Sequence, residues 1–211
     1  MAPTDLRIVG GHVALDLVNT VEPRVPGATD FREHLRSPAD LLDWGLRAGL
    51  LEVSEAESVR AAWGASPAAA PQALHAAHEV REATYDVLLA VLGVHGDAST
   101  QLDELAVRWS AATARSALTS AGPGRAVRLE VGTNPATLVQ DRLVTAAVDL
   151  LRTVDPRQLR TCPLEQGGCG WLFVDRSRNG SRRWCAMEDC GVQSKSRRLT
   201  ARRRAARTAT S

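Results

Sequence analysis

All four cysteines of this 211-residue chain fall near its end: Cys162, Cys169, Cys185 and Cys190, spaced C-x6-C-x15-C-x4-C. Two close pairs separated by a longer loop can close a tetrahedral thiolate site for Zn2+. A segment too small for its own core gains folding energy from such a metal. Disulfide pairing is the alternative reading. The opening MAPTDLRIVGGH weighs against it. With no basic region followed by an apolar one, no export signal is apparent, and the thiols are expected to stay reduced.

The same end carries the positive charge. The whole chain has 26 Lys+Arg against 24 Asp+Glu, a formal net charge of +2. Residues 1–156 hold 13 arginines and 20 acids, net −7, while residues 157–211 hold 12 arginines, one lysine and four acids, net +9. With four thiolates and one Zn2+ counted, the basic end stands at about +7. An acidic body with a basic end suits binding to nucleic acid or another anionic surface. A solvated tail is the plainer reading of the charge, but here the basic end also holds a folding element. The longest apolar run, Val87–Leu92, is too short to span a bilayer, so no membrane partner is expected.

The body reads as helical. Ser37-Pro38-Ala39-Asp40 supplies an N-cap, a first-turn proline and an acid before LLDWGLRAGLL, with Gly49 near that helix's end. Ser54 and Glu57 have capping-box spacing for a short helix toward Trp63. After a Gly64–Pro71 break, Leu74, His78, Arg81, Tyr85, Leu88 and Leu92 recur on one helical face. Ser99 or Thr100 caps another helix, with Leu102, Leu105, Trp109 and Ala112 expected inward. Val127, Leu129 and Val131 alternate with Arg128 and Glu130 as in a half-buried strand, and Asn134-Pro135 starts a last body helix running to about Val154. In the basic end, Trp171–Val174 predicts a strand, with Ser181–Trp184 as its hairpin partner across an Asn179-Gly180 turn. The run after Cys190-Gly191 lacks helix breakers, but its basic residues surround the helix with Leu199 nearly alone as an anchor. It is either a frayed tail or a helix completed by polyanion contact. The expected fold is mainly α (α+β): a multihelical domain with a short β element over residues 1–156, then a small zinc-bound hairpin-plus-helix module over 157–211.

The stretch CPLEQGGCGWLFVDRSRNGSRRWCAMEDCGVQSKSRR closely resembles the CGNR zinc-finger family. GGHVALDLVNTV (residues 10–21) and Val80-Arg81-Glu82-Ala83-Thr84-Tyr85 are similar to that family's partner domain, ABATE. The resemblance covers nearly the whole chain. It implies a bacterial, cytoplasmic, stress-induced transcription regulator. The signature tetrapeptide departs from it, reading CGVQ, with Val192 and Gln193 where the family has Asn and Arg.

The candidate metal ligands are therefore Cys162, Cys169, Cys185 and Cys190, with Zn2+ as cofactor. Candidate nucleic-acid contacts are Arg176, Arg178, Arg182, Arg183, Lys195, Arg197, Arg198, Arg202 and Arg203. Arg182 or Arg183, beside Cys185, is expected to serve the metal module in part. The leading partner is DNA, with structured RNA or an acidic protein as alternatives, and a homodimer would suit a half-site module. An inward Arg81 needs an anion, so Asp16, Asn19 and Arg81 are candidate ligands for a small anionic effector. The opposing reading makes Asp16 and Asn19 ordinary polar positions of an N-terminal helix. With no GxSxG, HExxH or glycine-rich phosphate loop, the chain is not expected to be an enzyme.

Overall fold

The computed structural model describes residues 6–25, 31–94, 96–120, 122–197 and 199–200. Its helices are α1 (Val13–Val18), α2 (Pro38–Arg47), α3 (Val53–Ala65), α4 (Ala69–Val91), α5 (Ser99–Ala114) and α6 (Leu138–Thr153). Three antiparallel two-stranded sheets are described: β1 (Val21–Glu22) with β2 (Arg32–Glu33), β3 (Ala117–Ser120) with β4 (Val127–Glu130), and β5 (Leu159–Thr161) with β6 (Leu172–Val174). The mainly helical fold expected from the sequence is the fold observed. No described helix is long and apolar enough to cross a membrane.

Local chemistry explains where the helices begin and end. Ser37 Oγ accepts the Asp40 amide at 3.1 Å, Pro38 occupies the first turn of α2, and Gly49 leaves the helix at φ +71°. α3 starts earlier than the Ser54/Glu57 spacing suggests. Its N-cap is Glu52, whose amide donates to Glu55 Oε2 at 2.9 Å. Tertiary structure decides between the two boxes, because Glu55 also receives Arg142 of α6.

α4 is the central helix, packing against α1, α2, α3, α5 and α6. Its fully buried line is Ala73, Ala77, Val80, Thr84 and Leu88; of the line expected from helical periodicity, Arg81, Tyr85 and Leu88 are buried and Leu74, His78 and Leu92 are half-buried. Small residues at the centre let several helices approach closely, while Leu74 and His78 sit at the margin. Burial of Val80 and Leu88 contributes about 1.5–3 kcal/mol each. In α5 only Leu105 and Ala112 are buried. Leu102 and Trp109, expected inward, are 49% and 42% exposed, because no further layer among the described residues covers that side. The β4 strand is likewise exposed along its whole length rather than half-buried, since among the described residues only β3 pairs with it.

The expected hairpin in the basic end is corrected as well. β6 pairs with β5, in the register Leu159↔Val174, Arg160↔Phe173 and Thr161↔Leu172, and not with residues 181–184. Cys162 N donates to Trp171 O and Gly170 N to Cys162 O, so the first cysteine pair closes the β5–β6 loop. Residues 181–184 are held by a side chain instead. Asp175 accepts the Ser177 amide and hydroxyl on one oxygen and the Arg182 amide on the other.

The β5–β6 unit does not stand apart from the helices. Asn19 Nδ2 donates to Leu172 O at 2.8 Å, and Asn19 Oδ1 accepts Leu172 N at 3.0 Å. Val174 N donates to Gly10 O, Trp171 Nε1 to Val21 O and Arg24 N to Cys169 O. At Gly170 (φ +78°) a Cβ would lie 2.0 Å from Arg24 O, so only glycine admits this approach. Leu172 and Phe173 join Leu15, Leu17 and Val18 in one hydrophobic cluster.

Asn19→Ala leaves both polar groups of a buried backbone unit unpaired. The expected loss is about 2–4 kcal/mol, read from urea unfolding of the zinc-loaded chain. A change below 0.5 kcal/mol, the level of an ordinary surface substitution, would contradict this account of the seam.

Candidate metal centre

The four cysteine sulfurs lie within 4.8 Å of one another, and none forms a disulfide. The Cys169–Cys185 and Cys185–Cys190 sulfurs are 3.4 and 3.7 Å apart. Sulfurs at about 2.3 Å from one tetrahedral ion stand under 4 Å from each other, so the cluster has zinc dimensions. Each side chain is held from a different direction. Cys162 directly follows β5, and Cys169 is fixed through its carbonyl by Arg24. Cys185 follows the Asp175-organised turn, and Cys190 lies in a π-helical turn, Met187–Gly191. All four are at most 9% exposed.

Burial and mutual hydrogen bonding set the protonation of this cluster. Hydrogen bonds from the other three thiols push the Cys162 thiol far down. Its hydrogen bond to that sulfur, together with burial, pushes Cys169 far up. A buried group of thiols sharing protons in this way is completed by a cation that takes the protons' place. The donor set fits Zn2+, which prefers four thiolates in a closed site.

Arg182 is the main support next to the cluster. Its guanidinium donates to Val9 O, Trp184 O and Cys185 O and lies 4.4 Å over the Phe173 ring. Arg183 bonds Gln166 Oε1 and faces the Trp184 ring at 5.8 Å. The N-terminal segment reaches the second cysteine pair through Arg7, which bonds Glu188 and Asp189.

Arg176 and Arg178 are exposed on the turn before Cys185, and Arg183 is exposed beside them. Lys195 and Arg197 are exposed on a helical stretch over residues 192–197, where Ser194 is buried. Val192, at the altered signature position, is 57% exposed. Arg198, Arg202 and Arg203 lie outside the described residues.

The structure does not bring Asp16, Asn19 and Arg81 to one point. Asp16 accepts the Val9 and Gly10 amides, and burial pushes its pKa up to about 6. Asn19 clasps Leu172. Arg81 bonds Thr20, Glu33 and Glu82. Sequence reasoning did not single out Glu33 or Arg24 of that network. Arg24 bonds Glu82 and Val18 O and stacks 4.3 Å over Tyr85. Burial opposes the Glu82 charge, but Arg24 and Arg81 hold its pKa below the ordinary range. An inward basic residue on α4 was the available signal; Glu82 is its neighbour in the chain, but Glu33 lies 48 residues away and could not be paired by spacing.

A family model for the CGNR zinc finger matches residues 158–203. A second model, ABATE, described as "Putative stress-induced transcription regulator", matches residues 11–154. No match is found among curated proteins.

Because metal replaces protons on the thiolates, zinc should be retained at neutral pH and released on acidification. The measurement is zinc release against a colorimetric chelator, with one equivalent per chain expected. Cys185→Ser should raise the dissociation constant by at least about tenfold. Equal retention by the two chains would remove Cys185 from the ligand set.

Proposed function

The chain belongs to the ABATE family of transcription regulators and ends in a CGNR zinc finger, and from that premise we propose that it is a zinc-dependent DNA-binding regulator. The observation that supports this reading is where the free positive charge sits. Arg176, Arg178, Arg183, Lys195 and Arg197 are exposed on the two stretches anchored by Cys185 and Cys190. A cleft of about 330 Å3 lined by Arg160, Arg182, Arg183 and the Gly180-Ser181 backbone adjoins them. Arg160 is a cation of this surface that the sequence reading did not select.

In this reading the metal supplies structure and performs no chemistry. Four thiolates hold the 176–183 turn and the 192–197 helical stretch in fixed relation, so their cations meet a regular array of phosphates without a large ordering cost. Arg182 positions the turn through its three carbonyl contacts, and its exposed neighbours make the phosphate contacts. Exposed Val192 and Gln193 replace the polar and charged residues of the family signature. This chain therefore relies on its arginines more than on the start of its last helix.

Binding of the zinc-loaded full chain to duplex DNA should weaken steeply with salt, because each phosphate contact releases condensed counterions. Arg176→Ala/Arg178→Ala removes two exposed cations and should lower the log–log salt slope by about 2 without loss of zinc. A salt-independent affinity, or no measurable binding at low salt, would overturn the reading. Stronger competition by structured RNA than by duplex DNA would transfer it to RNA.

A further inference from the structure

The β3–β4 hairpin exposes an apolar face that nothing in the described chain covers. Leu118 and Leu129 are directly opposite each other, and Val127 lies on the same side two residues along β4. These three are 74%, 56% and 66% exposed. β3 and β4 make up the whole of their sheet among the described residues, so each presents an edge without a partner strand. β4 also borders an open groove of about 960 Å3, whose other wall is formed by α3 and α6. An edge of this kind is a template for another strand.

We propose that the occupant is a second copy of this chain, joined by antiparallel pairing of β4 with β4 about a two-fold axis at Leu129. The argument is one of register and charge. A slip of one residue turns every side chain to the opposite face, so the apolar residues of both copies stay together only if the axis passes through a residue. Arg128, Leu129 and Glu130 are the central candidates. An axis at Arg128 sets that arginine against itself, and an axis at Glu130 does the same for two carboxylates. An axis at Leu129 sets Arg128 against Glu130 of the other copy, twice over by symmetry. It also sets Val127 against Val131 and Leu129 against Leu129, extending one apolar strip across both hairpins.

Charged residues on an edge strand commonly discourage association. In Val127–Val131 the two charges are opposite in sign and symmetric about a leucine, so they select a partner bearing the same sequence. Glu130 accepts the Thr119 hydroxyl within its own hairpin, at 3.1 Å, and that bond leaves carboxylate capacity for an arginine. The interface is small, so the association is weak and reversible, with a dissociation constant on the order of 10 μM. The proposal does not depend on nucleic-acid binding. It concerns how many chains act together.

The test is sedimentation equilibrium of the zinc-loaded full chain without nucleic acid, between about 1 and 200 μM, a range bracketing that constant. The wild-type chain should pass from monomer to dimer. Arg128→Glu and Glu130→Arg each set like charges in opposition and should raise the dissociation constant by about tenfold or more. The swapped pair Arg128→Glu/Glu130→Arg regenerates both contacts and should return it to within about threefold of wild type. Both positions of change are exposed, and equal zinc content and helical circular dichroism verify the fold. A monomer throughout the range overturns the proposal, as does a dimer indifferent to the single reversals. Weakening by the singles without recovery in the swapped pair overturns the register at Leu129.

Discussion

Asn19 closes both hydrogen bonds of a small amide onto the backbone of Leu172, and the rest of the molecule is arranged around that seam. The residue ends α1 and lies in the wall of the helical core, yet its partner belongs to the strand between the first two cysteines and the last two. Around it, Gly10, Val21 and Arg24 bond Val174, Trp171 and Cys169. The four cysteines thus stand on a surface built by residues between Gly10 and Arg24. Burying these backbone groups is tolerable only because each finds a partner, so the seam is specific in register. Zinc binding and packing of the N-terminal segment are coupled through it.

The charge distribution follows the same construction. Arginines close to the cysteines are partly withdrawn into the structure: Arg182 is taken up by three carbonyls and the Phe173 ring. Arg24 and Arg81 neutralise Glu33 and Glu82 beneath the seam. A buried network of this kind adds little net stability against an apolar replacement, but breaking one member strands a charge. It therefore fixes how β1, β2 and α4 meet. The basic surface consists of the cations left over, on the turn before Cys185 and the stretch after Cys190.

Much of this was legible in the chain. The cysteine cluster, the helical body, the α2 cap and the exposed Arg176 and Arg178 follow from local chemistry, which acts within a few residues. The errors share one cause. Ser181–Trp184 has strand-like spacing, but β5 took the pairing because closing the first cysteine pair places Leu159–Thr161 beside Leu172–Val174. Leu102 and Trp109 obey helical periodicity, yet no layer among the described residues covers them. Val127 and Leu129 alternate correctly for a buried face and lie exposed. Periodicity reveals which residues share a face, but not whether another element meets it.

The sequence by itself determined the ligand set, the separation of acidic body from basic end, and the identity of most helices. Each of these depends on residue type and short-range spacing. Tertiary structure alone decided that the cysteine module rests on the N-terminal segment and that Arg182 is spent on backbone carbonyls. It also decided that Arg81 finds its anions in Glu33 and Glu82. These outcomes join residues as much as 173 positions apart. No local pattern encodes such pairings, because they are selected by the requirement that every buried polar group and charge be satisfied at once.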